Sequence, residues 1–222
     1  MAIFDIALKI VLQHEGGYSN DPVDKGGETY KGISRIFAPA WKGWAIIDFY
    51  KKDFGLKSNA VIKSVELDNL VGSFYYTNKW LPSKAGGINS QPLANFVFDM
   101  YTNHGRAALL VNKAVNQAAG KAIVAEKNVM TTATIAAINA NASKVYSQLI
   151  NIRTDYFKSL DTFWKFGKGW LARIKKFPST IEDFLPTAFT EASTKKKKII
   201  IAGSIIIVVF ILIIFYDKLK RL

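Results

Sequence analysis

Glu15-Gly16-Gly17-Tyr18-Ser19-Asn20-Asp21-Pro22-Val23-Asp24-Lys25-Gly26-Gly27-Glu28-Thr29-Tyr30-Lys31-Gly32-Ile33-Ser34 is the stretch on which the fold turns, because it sets acids, amides and a threonine among five glycines. The residues before it place Ile3, Ile6, Ala7, Ile10 and Val11 at spacings of three and four, which predicts a helix over residues 2–14 with one buried face. Glu15 then sits at a helix end. Gly16 and Gly17 can take positive φ and stop the helix, fixing the carboxyl at the lip of whatever cleft the next segment forms. Asn20-Asp21-Pro22 and Lys25-Gly26-Gly27 are turn signals, and Thr29-Tyr30 before Gly32 suits a short hairpin strand. One helix end and one compact hairpin thus carry Glu15, Asp24 and Thr29.

These residue types fit one chemistry in particular. Cleaving a glycosidic bond without a cofactor takes a protonated acid for the leaving oxygen and usually a second, ionised carboxylate to activate water or hold the developing cation. Glu15 and Asp24 can fill those roles, and Tyr18 and Tyr30 beside the helix end can desolvate the acid. On residue types alone, a glutamate followed by glycines also reads as an ordinary helix end running into a surface turn.

The run from Glu15 to Ser34, with its Glu-Gly-Gly-Tyr, Asn-Asp-Pro, Gly-Gly-x-Thr and Lys-Gly-Ile-Ser pieces, resembles the signature of the family-108 glycoside hydrolases, cell-wall muramidases of phages and bacteria. Phe98-Asp99-Met100-Tyr101-Thr102-Asn103-His104-Gly105 resembles that family's Phe-Asp-x-x-x-Asn-x-Gly segment. Gly169-Trp170-Leu171-Ala172-Arg173-Ile174 resembles its closing Gly-Trp-x-x-Arg-Val/Ile element. The resemblance covers about residues 1–178. It implies a mainly α, lysozyme-like helical domain with a small β-hairpin at the active site, and a muramidase that cuts the β-1,4 bond between N-acetylmuramic acid and N-acetylglucosamine. Glu15 falls on the family's catalytic acid.

Phage lysozymes of another family space Glu, eight residues, Asp, five residues, Thr. This chain has Glu15, eight residues, Asp24, then four before Thr29. The near match makes Asp24 the second carboxylate, with Asp21 as the alternative, and Thr29 the residue that positions water. Tyr18, Asn20, Tyr30 and Asn103 are the candidate sugar contacts. The resemblance divides the body into a catalytic region, residues 1–95, and a helical peptidoglycan-binding-like region packed on it, residues 96–178. The second is the weaker match, since Glu126-Lys127-Asn128-Val129-Met130-Thr131-Thr132 lacks the usual glycine-rich turn. A lytic transglycosylase acting on the same bond is the enzymatic rival. A non-catalytic, membrane-tethered wall-binding or virion structural protein is the rival of another class.

Composition agrees. Of 222 residues, about 180 suit one domain able to bury a core without staples. There is no cysteine, and His14 and His104 are the only histidines, so neither disulfides nor a metal centre is expected, and carboxylate chemistry requires no cofactor. The net charge is +13, but the segment from residue 195 onward holds seven Lys or Arg against one Asp, leaving +7 for the rest. That charge favours anionic wall polymers and acidic lipid. Nucleic acid is not an expected partner, because the lysines are scattered among acids and no basic helix or stacking platform is visible.

Helices are predicted over residues 45–54, 65–80, 93–103, 106–117, 132–140, 142–163 and 169–177, with strand confined to the hairpin. Trp41, Trp44, Trp80 and Tyr76 read mainly as core, and Trp170 with Arg173 as a packing anchor and its surface partner. Four lysines, Lys195 to Lys198, precede an uncharged run that starts at Ile199 and ends at Tyr216. Its 18 residues reach about 27 Å as a helix, which matches a bilayer core and predicts a transmembrane span. Residues 179–198 would be the tether and 217–222 a basic tail. With Asp5 interrupting the first apolar residues no signal peptide is expected. The expected location is a C-terminally anchored single-pass protein of the host inner membrane or of a virion's internal membrane.

Overall fold

In the computed structural model, α1 (Phe4–Leu12) opens the chain and buries Ala7 and Val11, the face that the apolar spacing implies. The structure describes residues 1–20 and 27–182, and Met1–Asp183 forms one compact unit. Asp21, Asp24 and the apolar run of residues 199–216 lie outside the described residues. Among the described residues no helix is long and apolar enough to cross a membrane.

The expected hairpin is larger than the sequence suggests. β1 (Tyr18–Ser19), β2 (Thr29–Tyr30) and β3 (Ile33–Ser34) form a three-stranded antiparallel sheet with β2 in the middle. Tyr18 pairs with Tyr30, and Thr29 with Ser34. The link from β2 to β3 is only Lys31-Gly32, and both residues have positive φ, 45° and 74°. That is the backbone a twisted two-residue hairpin demands. Lys31 is held there by the Asp68 carboxylate, 2.7 Å from its ammonium, and by the Tyr75 hydroxyl, which donates to its carbonyl at 2.7 Å. Neither Gly16 nor Gly17 takes positive φ, contrary to the expected helix stop. A side chain at Gly17 would instead collide with the Ala60 carbonyl, where the Tyr18 amide donates to that same carbonyl at 2.9 Å.

α2 (Gly43–Phe54) ends in the left-handed Gly55. α3 (Val65–Tyr75) is capped by the Ser64 hydroxyl, which accepts from the Leu67 amide at 3.2 Å. The predicted helix over residues 65–80 is α-helical only to Tyr75; Tyr76–Trp80 is a π-helical turn, followed by the short α4 (Leu81–Ser83). α5 (Gln91–Asn103) is the centre of the body, with every residue from Pro92 to Met100 buried, and it packs against α1 and α6 (Ala107–Ala119). A helix apolar on all sides belongs in the middle of a bundle, and Asp99 and Asn95 are the polar exceptions on it. α7 (Thr132–Ala140) starts with a Thr131–Thr134 capping box.

The predicted helix over residues 142–163 stops early. α8 runs Ala142–Lys158, and α9 is Phe163–Lys175, starting well before the predicted residue 169. Gly167 and Gly169 do not break α9. A side chain at Gly167 would run into the Phe163 ring, so that glycine serves packing within the helix. Trp44 and Trp80 are core residues, while Trp41 is half-buried and Tyr76 exposed.

Candidate active site

Glu15 stands three residues past the end of α1, and the turn bonds from the Gln13 amide to Ile10 and from the His14 amide to Val11 deliver it toward the sheet. Its carboxyl lies under the Lys31-Gly32 turn, where a side chain at Gly32 would overlap Oε2 and come within 2.8 Å of the Tyr75 hydroxyl. Oε1 accepts from Arg173 Nη2 at 3.2 Å. The side chain is 19% exposed, so the carboxyl is walled but reachable. Burial, with the charge of Glu15 adding to it, raises the Tyr75 pKa; the hydroxyl stays protonated and serves as a donor.

Arg173 is part of a chain of charges that runs into the core. Its Nε donates to Asp99 Oδ1 at 2.9 Å, and its Nη2 also donates to Thr102 Oγ1 at 3.3 Å. Asp99 Oδ2 accepts from Arg153 Nη2 at 2.7 Å, and Asp99 and Arg153 are both 0% exposed. Arg153 lies over the Phe96 and Phe157 rings, 5.0 Å and 5.4 Å from their centroids. Burial by itself would raise the Asp99 pKa, but Arg153 and Arg173 together outweigh it and hold the carboxyl below its ordinary range. Glu15, Arg173, Asp99 and Arg153 follow one another along this row, so that acid and guanidinium side chains alternate.

This overturns one sequence reading: Arg173 is no surface partner of Trp170. It is a half-sheltered clamp between Glu15 and the core. The only sequence signal for it is the Gly-Trp-x-x-Arg element; nothing local tells that its partner lies 158 residues away.

The other candidates separate. Asn103 ends α5 with Oδ1 3.5 Å from Arg153 Nη2, at the far end of the same row, and lines a cleft. Thr29 is half-buried in the central strand and Asn20 is exposed just past β1. Tyr18 and Tyr30 turn their rings inward. The Tyr18 hydroxyl donates to Glu28 at 2.9 Å, within a cluster where Glu28 meets Arg35 at 2.6 Å and Lys51 at 2.7 Å. Tyr30 is 0% exposed, and its hydroxyl accepts from the Ile62 amide at 3.1 Å.

Two clefts matter here, the first of them at the Thr102 and Asn103 end of this row. One, of about 420 Å³, is bordered by Tyr101, Thr102, Asn103, His104 and Asn128. The other, of about 720 Å³, is bordered by Phe37, Trp41 and Phe74. Thr102 joins the first to Arg173 and so to Glu15. Among the described residues no group of three or more His, Asp or Glu side chains could hold a metal ion.

His104 lines the first cleft with its ring against Tyr156 and Phe157. Burial, reinforced by Arg153, pushes its pKa down to about 3, against about 6.5 in an unfolded chain. The native ring is neutral. Its contribution to stability is complete above about pH 6.5 and is lost as the pH falls from there toward 3, where the unfolded chain binds the proton and the folded one does not. Between pH 6.5 and 5 the expected loss is roughly 2 kcal/mol. Urea midpoints at the two pH values should differ accordingly, and His104→Gln should flatten the difference; an unchanged slope in the variant would assign it to other groups.

A mainly helical domain that sets a helix-terminal carboxylate under a small antiparallel sheet, beside an open polar cleft, has the construction of a sugar-cleaving enzyme. Residues 8–105, from within α1 to just past α5, match the family model for glycosyl hydrolase 108. The protein is a glycoside hydrolase. Arg153 and Arg173 lie beyond the matched segment, so its buried Asp99 is paired by later helices. The solved structure of Brucella abortus SagA is 24% identical, with 78% of this chain and 90% of that chain covered at a TM-score of 0.56, a likeness of fold. No curated protein matches the chain.

Proposed function

We propose that the protein is a peptidoglycan hydrolase that cleaves the β-1,4 bond between N-acetylmuramic acid and N-acetylglucosamine, with Glu15 as the proton donor. The observation that carries this reading is the fixed carboxyl of Glu15, shielded by the Gly32 turn and clamped through one oxygen by Arg173, whose bond to Thr102 links it to the first cleft. A donor held in one orientation beside a groove is what acid catalysis on an extended polymer requires. Asp24, or Asp21 in its place, assists the attacking water as the second carboxylate, and Thr29 positions that water. Asn103 contacts sugar in the first cleft and the exposed Asn20 does so beside the sheet, whereas Tyr18 and Tyr30, expected as sugar contacts, are buried with their hydroxyls bonded inside and hold the sheet instead. Residues 1–95 form the catalytic region, and residues 96–178 pack on it and contribute to wall binding.

The run of residues 199–216 anchors the enzyme in a host inner membrane or a virion's internal membrane, and the enzyme acts in phage lysis or cell-wall penetration. The four lysines before the run suit an anionic lipid surface.

Digestion of purified murein by the full chain in detergent tests the reaction. The expected products are muropeptides ending in a reducing N-acetylmuramic acid by mass spectrometry. Products lighter by one water would assign the chemistry to a transglycosylase, in which the muramic acid's own hydroxyl attacks. Sedimentation with murein without any solubilisation would assign the fold to wall binding alone.

A further inference from the structure

The π-helical turn Tyr76–Trp80 is a costly interruption in what would otherwise be a continuous helix, and such turns are commonly retained where a side chain has to be re-aimed. Asn78 and Lys79 lie within this turn, and these two border both clefts. Asn78 is tied back to the helix, its amide donating to the Phe74 carbonyl at 2.9 Å. Lys79 makes no ion pair or hydrogen bond with any described residue, and it is half-buried. Most other cations near the site are engaged: Arg173 and Arg153 by Asp99, Lys31 by Asp68, Lys51 by Glu28. Among the described residues Glu15 is the charge that bears on Lys79, with no ion pair or hydrogen bond between the two.

We propose that Lys79 binds a carboxylate of the glycan strand where the two clefts meet, so that the enzyme selects anionic murein over the same strand with its carboxyls neutralised. This rests on the peptidoglycan reading and deepens it. A partly desolvated ammonium without a counter-ion is unfavourable, and a ligand carboxylate restores its charge-assisted bonds. Burial also lowers the Lys79 pKa, with Glu15 opposing, which agrees with a cation awaiting a partner. Murein offers two such carboxylates, those of the stem peptide and, on strands stripped of stems, that of the lactyl ether.

The test uses the full chain in detergent and three soluble, uncross-linked glycan strands: stem-bearing with free carboxyls, the same strands amidated, and stem-stripped strands with free lactyl groups. Binding is read by tryptophan fluorescence in the cold, and cleavage by release of reducing ends. The expected result is about tenfold tighter binding of a carboxylate strand than of the amidated one, a preference that shrinks with added salt. Lys79→Gln should bring that ratio to about one and Lys79→Arg should restore most of it; which free-carboxyl strand shows the preference identifies its source. Equal binding of all three strands by the parent protein, or an undiminished preference in Lys79→Gln, overturns the proposal. Charge-selective binding without cleavage of any strand would overturn the hydrolase reading and leave this one standing.

Discussion

Glu15→Gln is expected to reduce murein cleavage by about 10²–10⁴-fold, the range a single positioned acid contributes. Glutamine keeps the shape of glutamate and can still accept from Arg173 through its carbonyl oxygen, at the 3.2 Å position that the carboxylate occupies. It cannot deliver a proton to a leaving oxygen. The fold should therefore survive while the chemistry stops, which separates this substitution from one that merely loosens the site. The measurement is the loss of turbidity of a wall suspension, taken beside the urea midpoint of the same protein. Clearing at the parental rate by a folded variant sinks Glu15 as the donor, whatever else in the site holds.

The second large effect falls on stability. Asp99→Asn takes the negative charge from between two guanidiniums, one of which, Arg153, is 0% exposed and boxed by Phe96 and Phe157. Removing one partner of a buried pair strands the other charge where water does not reach it, at a cost of about 3–5 kcal/mol. All five tryptophans, at positions 41, 44, 80, 164 and 170, belong to the described unit, so their fluorescence follows its unfolding by urea in the full chain. A change below about 1 kcal/mol would mean that the pair behaves like a surface ion pair and is hydrated. Activity should fall as well, because Arg173 loses the anchor that aims it at Glu15. Gly32 adds a constraint from the other side, where the hairpin turn leaves room for the carboxyl and for no side chain.

The helices around the site were largely legible because their evidence is local. Apolar spacing in α1 and α3 acts within a turn or two of chain, as do the caps that the structure adds, the Ser64 and Ser90 hydroxyls and the left-handed Gly55. Two misreadings came where the group a glycine packs against outweighed the glycine's own preference for breaking a helix. Gly17 serves a close approach to the Ala60 carbonyl and not a left-handed turn. Gly167 serves the Phe163 ring and leaves α9 intact. The π turn at Tyr76–Trp80 carries no periodicity signal that separates it from ordinary helix, since it inserts a single residue into the pattern.

The sequence by itself determined that a glutamate stands just past the first helix, that a glycine-rich turn with a short strand follows it, and that an apolar run over residues 199–216 stands behind four lysines. Those are properties of neighbouring residues, and neighbouring residues set helix ends and turns. Only the tertiary structure decided what surrounds that glutamate. Arg173 comes from α9, Asp99 from α5 and the Gly32 turn from the sheet, and Lys79, which pairs with none of the described residues, borders two clefts. Charge neutralisation in a dry interior is decided by which side chains the packing brings within about 3 Å of one another, and spacing along the chain does not encode that distance.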